Sequence, residues 1–199
     1  MSGRLNRHLG KLAFAALIGA GFWFWIASRG LSLSESGRAP RKANLEVRVK
    51  DHRDAITDFR ELEVVVDSIR LHSGRGSGGQ IGWTSLAVSR PRIDLVKYIG
   101  KRSASVFEGE VASGSFDAVD LKLQGIEGTL KKTGGRAAVK NLVAPIRLLF
   151  STYRESKMLI ILDLTVLDMS DHPPRGYELR LRGYELYKNE KLVERIPPA

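Results

Sequence analysis

The chain has 199 residues, a formal net charge of +10 and no cysteine, which excludes disulfides, thiol catalysis, Cys-ligated zinc and a lipid-modified N-terminal cysteine. Such basicity suggests nucleic acid, but its distribution argues otherwise: residues 1–30 carry four Lys/Arg and no acid, whereas residues 44–199 hold 25 basic against 21 acidic groups. The charge is concentrated beside an apolar segment, where Lys and Arg gain on the order of 1 kcal/mol each from anionic lipid, so nucleic acid is disfavoured as a partner.

Residues 1–11 form a basic tail with Arg4, Arg7 and Lys11. Sixteen consecutive apolar or glycine residues follow, Leu12 to Ala27. With Ser28 the run reaches the lower end of the roughly 17–25 residues that a spanning helix uses, and it exceeds the roughly 7–15 of a cleavable signal core. Leu12, Phe14, Leu17, Ile18, Phe22, Phe24 and Ile26 favour insertion by about 3 kcal/mol together. Trp23 and Trp25 lie near the far end, where an indole prefers the water–lipid boundary. Bulky residues 22–26 crowd the place where cleavage wants small ones, so residues 12–28 are expected to be an uncleaved transmembrane signal anchor. A buried core helix is disfavoured because the segment has no polar face. Arg29, Arg38, Arg41 and Lys42 balance the cations before it, so charge alone chooses no orientation.

Residues 29–43, Ser-rich with Gly37 and Pro40, read as a basic linker. Residues 44–199 are long enough for one domain with its own core, and they read as β. Leu45–Lys50 alternates cleanly. In residues 62–71 the apolar positions are 62, 64 and 66, then 69 and 71, a slip at Asp67-Ser68 of the kind a bulge produces. Val119, Leu121 and Leu123 alternate until Gly125 interrupts. Ile146, Leu148 and Phe150 form a shorter strand. Met158 to Leu167 is apolar at every even position and mostly so at the odd ones, as expected of a central strand covered on both faces. Tyr177, Leu179 and Leu181 precede a break at Gly183, and Lys188–Lys191 turns the chain into a final arm, Leu192 to Ile196. Short helical pieces are expected near Asp54–Arg60 and Leu95–Ser103.

The strand ending in Asp51, the stretch to Phe59 and the Glu61–His72 strand are followed by a Gly-rich loop, Trp83–Leu86 and Ile93–Leu95. Ser113–Leu123 (Ser-Gly-Ser-Phe-Asp-Ala-Val-Asp-Leu-Lys-Leu) comes next. In that order, over residues 44–187, the chain resembles the domain of unknown function 4382 family. The resemblance implies an exported, envelope-associated β-sandwich without an assigned activity, and it tips the orientation outward. Many members look like lipoproteins; this chain has no cysteine and is expected to use its apolar helix instead. It also has Asp51-His52-Arg53 where the family tends to show Asp-Ala-Pro. The expected architecture is all-β: a two-sheet antiparallel β-sandwich, immunoglobulin- or transthyretin-like, behind one N-terminal transmembrane helix.

Candidate sites are few. Gly74–Gly79 contains G-x-G-x-x-G, but strand material follows where the dinucleotide fingerprint needs a helix; a hairpin loop is the better reading. Asp51, His52, Asp54 and Asp58 cluster in one loop, and Asp168, Asp171 and His172 in another. These residue types bind metals, yet Asp also caps turns with its own side chain, and the spacing fits no calcium loop. No nucleophile elbow is present, so no catalytic residue is assigned and no cofactor is expected. Aromatic residues including Trp83 and Tyr153 are expected in the core in preference to forming a carbohydrate platform, with Tyr184 or Tyr187 as a candidate surface residue beside Gly183. The expected function is that of a non-catalytic binding or structural module of the cell envelope. Its partners would be membrane lipid through the helix, and another envelope protein or an anionic polymer through the domain. The alternatives are an accessory subunit of a membrane complex and, from another class, a metal-dependent hydrolase.

Overall fold

The computed structural model describes residues 43–77, 80–171 and 176–196. The expected anchor (Leu12, Phe14, Leu17, Ile18, Phe22, Trp23, Phe24, Trp25, Ile26) lies outside them, as does His172. Among the described residues no helix is long and apolar enough to cross a membrane.

The described residues are all-β and form two sheets. In chain order the strands are β1 (Leu45–Asp51), β2 (Phe59–Ser77), β3 (Gln80–Ala87), β4 (Arg92–Asp94), β5 (Ala104–Gly109) and β6 (Gly114–Leu130). They continue with β7 (Arg136–Ala137), β8 (Val139–Asn141), β9 (Ile146–Thr152), β10 (Met158–Asp168), β11 (Tyr177–Lys188) and β12 (Lys191–Ile196). The first sheet runs β12-β11-β10-β1-β5, with β8 also against β11. The second is built on β2 and β6, which pair along their length. Strands β3 and β4 follow one another along the other side of β2, and β9 and β7 pair with β6.

Alternation decides which side chains face inward. Leu45, Val47 and Val49 of β1 and the even residues 158–166 of β10 are buried; so are Leu62, Val64, Val66, Ile69 and Leu71 of β2. They join Val119, Leu121, Leu148 and Phe150 in one core cluster between the sheets. Each such side chain contributes roughly 1.5–3 kcal/mol, more than the roughly 1 kcal/mol of a net hydrogen bond. The core therefore dictates strand register.

The expected bulge is present: Val66 pairs with Leu123 and Ser68 with Lys122, leaving Asp67 unpaired. That extra residue keeps Ile69 and Leu71 on the same buried side as Leu62 and Val64. The break at Gly125 corresponds to an extra residue in β6, between the partners of Val65 and Val66. The break at Gly183 corresponds to one in β11, where Asp163 pairs with Gly183 but Leu164 with Leu181. Strand β10 is central, between β1 and β11. The two expected helical pieces are single 3-10 turns, Ala55–Asp58 and Leu95–Lys97. Asp94 caps the second by accepting a hydrogen bond from the Val96 N–H.

Three expectations need correction. The sandwich is not purely antiparallel: β1 runs parallel to β10, Leu45 opposite Met158 through Asp51 opposite Leu164, and β8 runs parallel to β11. Parallel pairing needs a long crossover, and everything from β2 to β9 lies between β1 and β10. Tyr184 is core, 2% exposed, because the extra residue in β11 returns it to the inner face. Trp83 and Tyr153, expected inside, are 43% and 53% exposed.

Candidate functional site

The carboxyl end of β1 gathers the titratable groups. Asp51 follows Val49 by two, so alternation turns its side chain inward, where it is fully buried. Three segments meet on it. Its N–H donates to the Tyr98 carbonyl (2.8 Å), its carbonyl accepts from the Gly100 N–H (3.1 Å), and its Oδ1 accepts from the Arg53 N–H (3.0 Å). Arg53 holds a positive φ of 80° to make that turn. Oδ2 has no partner. Burial pushes the Asp51 carboxyl up from its ordinary 3.8 to about 7; the Arg53 N–H opposes this, while the charges of Asp163 and Asp54 add to it.

On the outer side of the same sheet, an ion-pair network ties β1, β10 and β11 together. Lys50 stands in register opposite Asp163, 3.9 Å from its carboxylate and 2.8 Å from that of Glu185. Glu185 also accepts from the Tyr187 hydroxyl (2.7 Å) and pairs with Arg195 (2.9 Å). Burial alone would raise the Glu185 carboxyl, but hydrogen bonds from Lys50 and Tyr187 hold it below the usual range. Burial raises the Asp163 carboxyl, with Lys50 and His52 pulling against it; His52 Nδ1 lies 3.5 Å away. Asp54 accepts from the Thr165 hydroxyl (2.5 Å) and from Arg182 (3.1 Å). A cleft of about 640 Å³ opens here, lined by Lys50, His52, Lys101, Asp163, Tyr187 and Arg195 among others.

The two expected acid clusters are kept apart as metal donors. Asp51 pairs with Leu164, and Asp168 lies four residues further along β10, roughly 13 Å at about 3.3 Å per residue. Asp168 caps its own turn, accepting from the Ser170 N–H (2.9 Å); Asp171 is an exposed turn residue. Asp58 accepts from the Tyr177 hydroxyl (3.2 Å). Among the described residues no group of three His, Cys, Asp or Glu side chains is placed to hold a metal ion. The Gly-rich stretch connects β2 to β3, with Ser77 paired to Gln80, so no helix follows it to receive a phosphate.

Sequence reasoning overlooked Asp163, Glu185 and Lys50. Asp163 carried a readable signal: an acid inside a strand covered on both faces must find a cation. It also overlooked the outer face of the second sheet. There His72 Nδ1 lies 2.5 Å from Asp117 Oδ1, Arg70 Nε donates to the buried Asp120 (2.9 Å), and Trp83 packs beside both Arg70 and His72.

Comparison with curated proteins and with solved structures finds no match. Residues 42–178 match the family described as Domain of unknown function (DUF4382). That span is well over half of the 199 residues and agrees with the order of strands and loops read above. The protein belongs to the DUF4382 family.

Proposed function

We propose that the chain is held in a membrane by residues 12–28 and presents its β-domain outside the cytoplasm as a non-catalytic binding or structural module of the cell envelope. Another envelope protein or an anionic polymer is its partner. The observation that carries the binding role is a set of large apolar side chains left in solvent on a firmly cross-linked scaffold. On the first sheet, Asp54, Asp163 and Glu185 are engaged by Thr165, Lys50, Arg182 and Arg195, an arrangement suited to rigidity. Large apolar side chains stand in solvent on both sheets: Ile81 78%, Trp83 43% and Leu149 62% exposed on the second, and Leu192, Val193 and Ile196 on β12 of the first. Exposed apolar groups on a rigid scaffold suit contact rather than chemistry. The location is supported by the sixteen-residue apolar run and the cations around it.

The test is protease accessibility of residues 44–199 on intact cells and spheroplasts, together with the mass of the mature N-terminus. External digestion with the N-terminal segment retained is the expected result. A domain protected until lysis would overturn the outward orientation, and release of intact protein by washing without detergent would overturn the anchor.

A further inference from the structure

Trp83, His72, Ala118 and Arg147 stand opposite one another in register across β3, β2, β6 and β9. Adjacent strands lie about 4.8 Å apart, so the row is roughly 14 Å long. It lies on the outer face, because His72 alternates with the buried Leu71 and Ser73.

One end is an aromatic platform. The Trp83 ring lies 5.0 Å from the His72 ring, tilted by 59°, and the Arg70 guanidinium is 4.9 Å from its centroid. Arg70 is fixed in turn by the buried Asp120, which Lys122 shares at 3.2 Å. The middle is polar. The irregularity between Phe116 and Ala118 leaves Asp117 outside regular pairing with β9, and its carboxylate meets His72. A Cβ at residue 74 would stand 2.6 Å from Asp117 Oδ2, so glycine there leaves the room that the carboxylate occupies. Beyond Asp117 lies a groove of about 570 Å³, lined by Gly74, Ser115, Asp117, Arg147, Leu149 and Ser151 among others. The Ser115 and Ser151 hydroxyls are 3.0 Å apart. Arg147 is exposed and, among the described residues, forms no ion pair.

We infer that this row is a binding site for an acidic polysaccharide, a chain of sugar rings bearing carboxylates. The inference deepens the proposed function by naming the chemistry of the polymer, and it rests on that reading for access to one. The face of a sugar ring stacks on the indole, as apolar ligand faces do on exposed aromatic side chains. Sugar hydroxyls donate to Asp117 and exchange hydrogen bonds with Ser115 and Ser151. A ring carboxylate takes the free guanidinium of Arg147, whose planar fork matches it. Arg70 and Lys122 share Asp120, which leaves Arg147 as the cation available to a ligand carboxylate on this row. A protein partner is the poorer fit: polar groups, not apolar contact, fill the space between Trp83 and Leu149.

The experiment is calorimetric titration of the full-length chain in nonionic detergent with oligogalacturonate. A neutral maltooligosaccharide of equal length and polyglutamate of matched charge serve as comparisons. Oligogalacturonate is expected to bind best, with Trp83→Ala and Arg147→Gln each weakening it roughly tenfold or more. Gly74→Ala should weaken it as well, by displacing Asp117, while near-UV circular dichroism confirms that each variant is folded. Equal binding of polyglutamate with no effect of Trp83→Ala would reduce the site to charge alone and overturn the inference. So would absence of oligogalacturonate binding, or a Trp83→Ala effect confined to self-association. Failure of the protease test with sugar binding intact would remove the envelope location and leave the site standing; the converse would remove the site alone.

Discussion

Asp51 lies at the junction of β1, the turn at Tyr98–Gly100 and the loop through Arg53, so its protonation state bears on all three. Its folded value of about 7 lies above its ordinary 3.8, and the protonated form is therefore the one the fold prefers. Stability from this group is fully present below about pH 3.8 and is lost progressively as pH rises through 7. The gap corresponds to about 4 kcal/mol at pH 8. Asp51→Asn removes that ionisation penalty and sets an unpaired amide N–H₂ where the protonated acid holds an equally unpaired O–H, so the two neutral side chains differ little. Urea denaturation should find the variant more stable than the parent at pH 8, by up to about 4 kcal/mol, and close to it at pH 4. A difference of equal size at both pH values would show that the protonation of Asp51 is not linked to folding. Sequence reasoning placed Asp51 in an inter-strand loop, as a turn residue in preference to a metal ligand. The two-residue step from Val49 pointed inward instead, and only the parallel strand β10 reveals what closes over it.

At the scale of elements, patterns that carry their own cause were legible and those set by distant partners were not. The slip at Asp67-Ser68 and the breaks at Gly125 and Gly183 are local interruptions of a two-residue period, and each marks an extra residue in the ladder. Strands β4, β7 and β8 are two or three residues long and exist because a neighbouring edge accepts them; no internal period announces them. The exposed row on β3, β2, β6 and β9 joins residues from four strands that nothing in the sequence places side by side. The hairpin at Lys188–Lys191 was legible and is suboptimal. Asn189 and Glu190 both take positive φ, 48° and 68°, the two-residue turn that favours Asn-Gly. Asn189 is held there, its N–H donating to the Lys157 carbonyl (2.8 Å) and its Oδ1 accepting from the Lys157 N–H (2.9 Å). Glu190 bears the left-handed penalty of about 1–2 kcal/mol, partly offset in a glycine variant by the greater freedom of the unfolded chain. Glu190→Gly is therefore expected to stabilise by about 0.5–1 kcal/mol, a rise of roughly 2–4 °C per kcal/mol in the thermal midpoint. A lowered midpoint would mean that the Glu190 side chain contributes contacts worth more than the strain.

At the scale of the molecule, the parallel pair β1–β10 makes the domain depend on its own last third. Strand β1 is made first, yet one of its two neighbours is β10, and the entire second sheet is synthesised between them. The second neighbour, β5, covers only one side. Two truncations separate what closes the fold from what decorates it. A chain ending at residue 190 loses β12, whose six residues are all exposed and which, among the described residues, pairs with β11 alone. Its main losses are the Arg195–Glu185 ion pair and the Glu194 partner of the Tyr184 hydroxyl, together a small share of the stability. A chain ending at residue 157 loses Met158, Ile160, Leu162, Leu164 and Val166, all buried, and with them about 7–15 kcal/mol of burial. That equals the whole net stability of an ordinary domain, about 5–15 kcal/mol. The shorter chain should therefore show no cooperative urea transition by near-UV circular dichroism, while the longer one keeps a single transition at a modestly lower midpoint. A cooperative transition in the chain ending at 157 would mean that the second sheet folds by itself and that β1 is an addition to it.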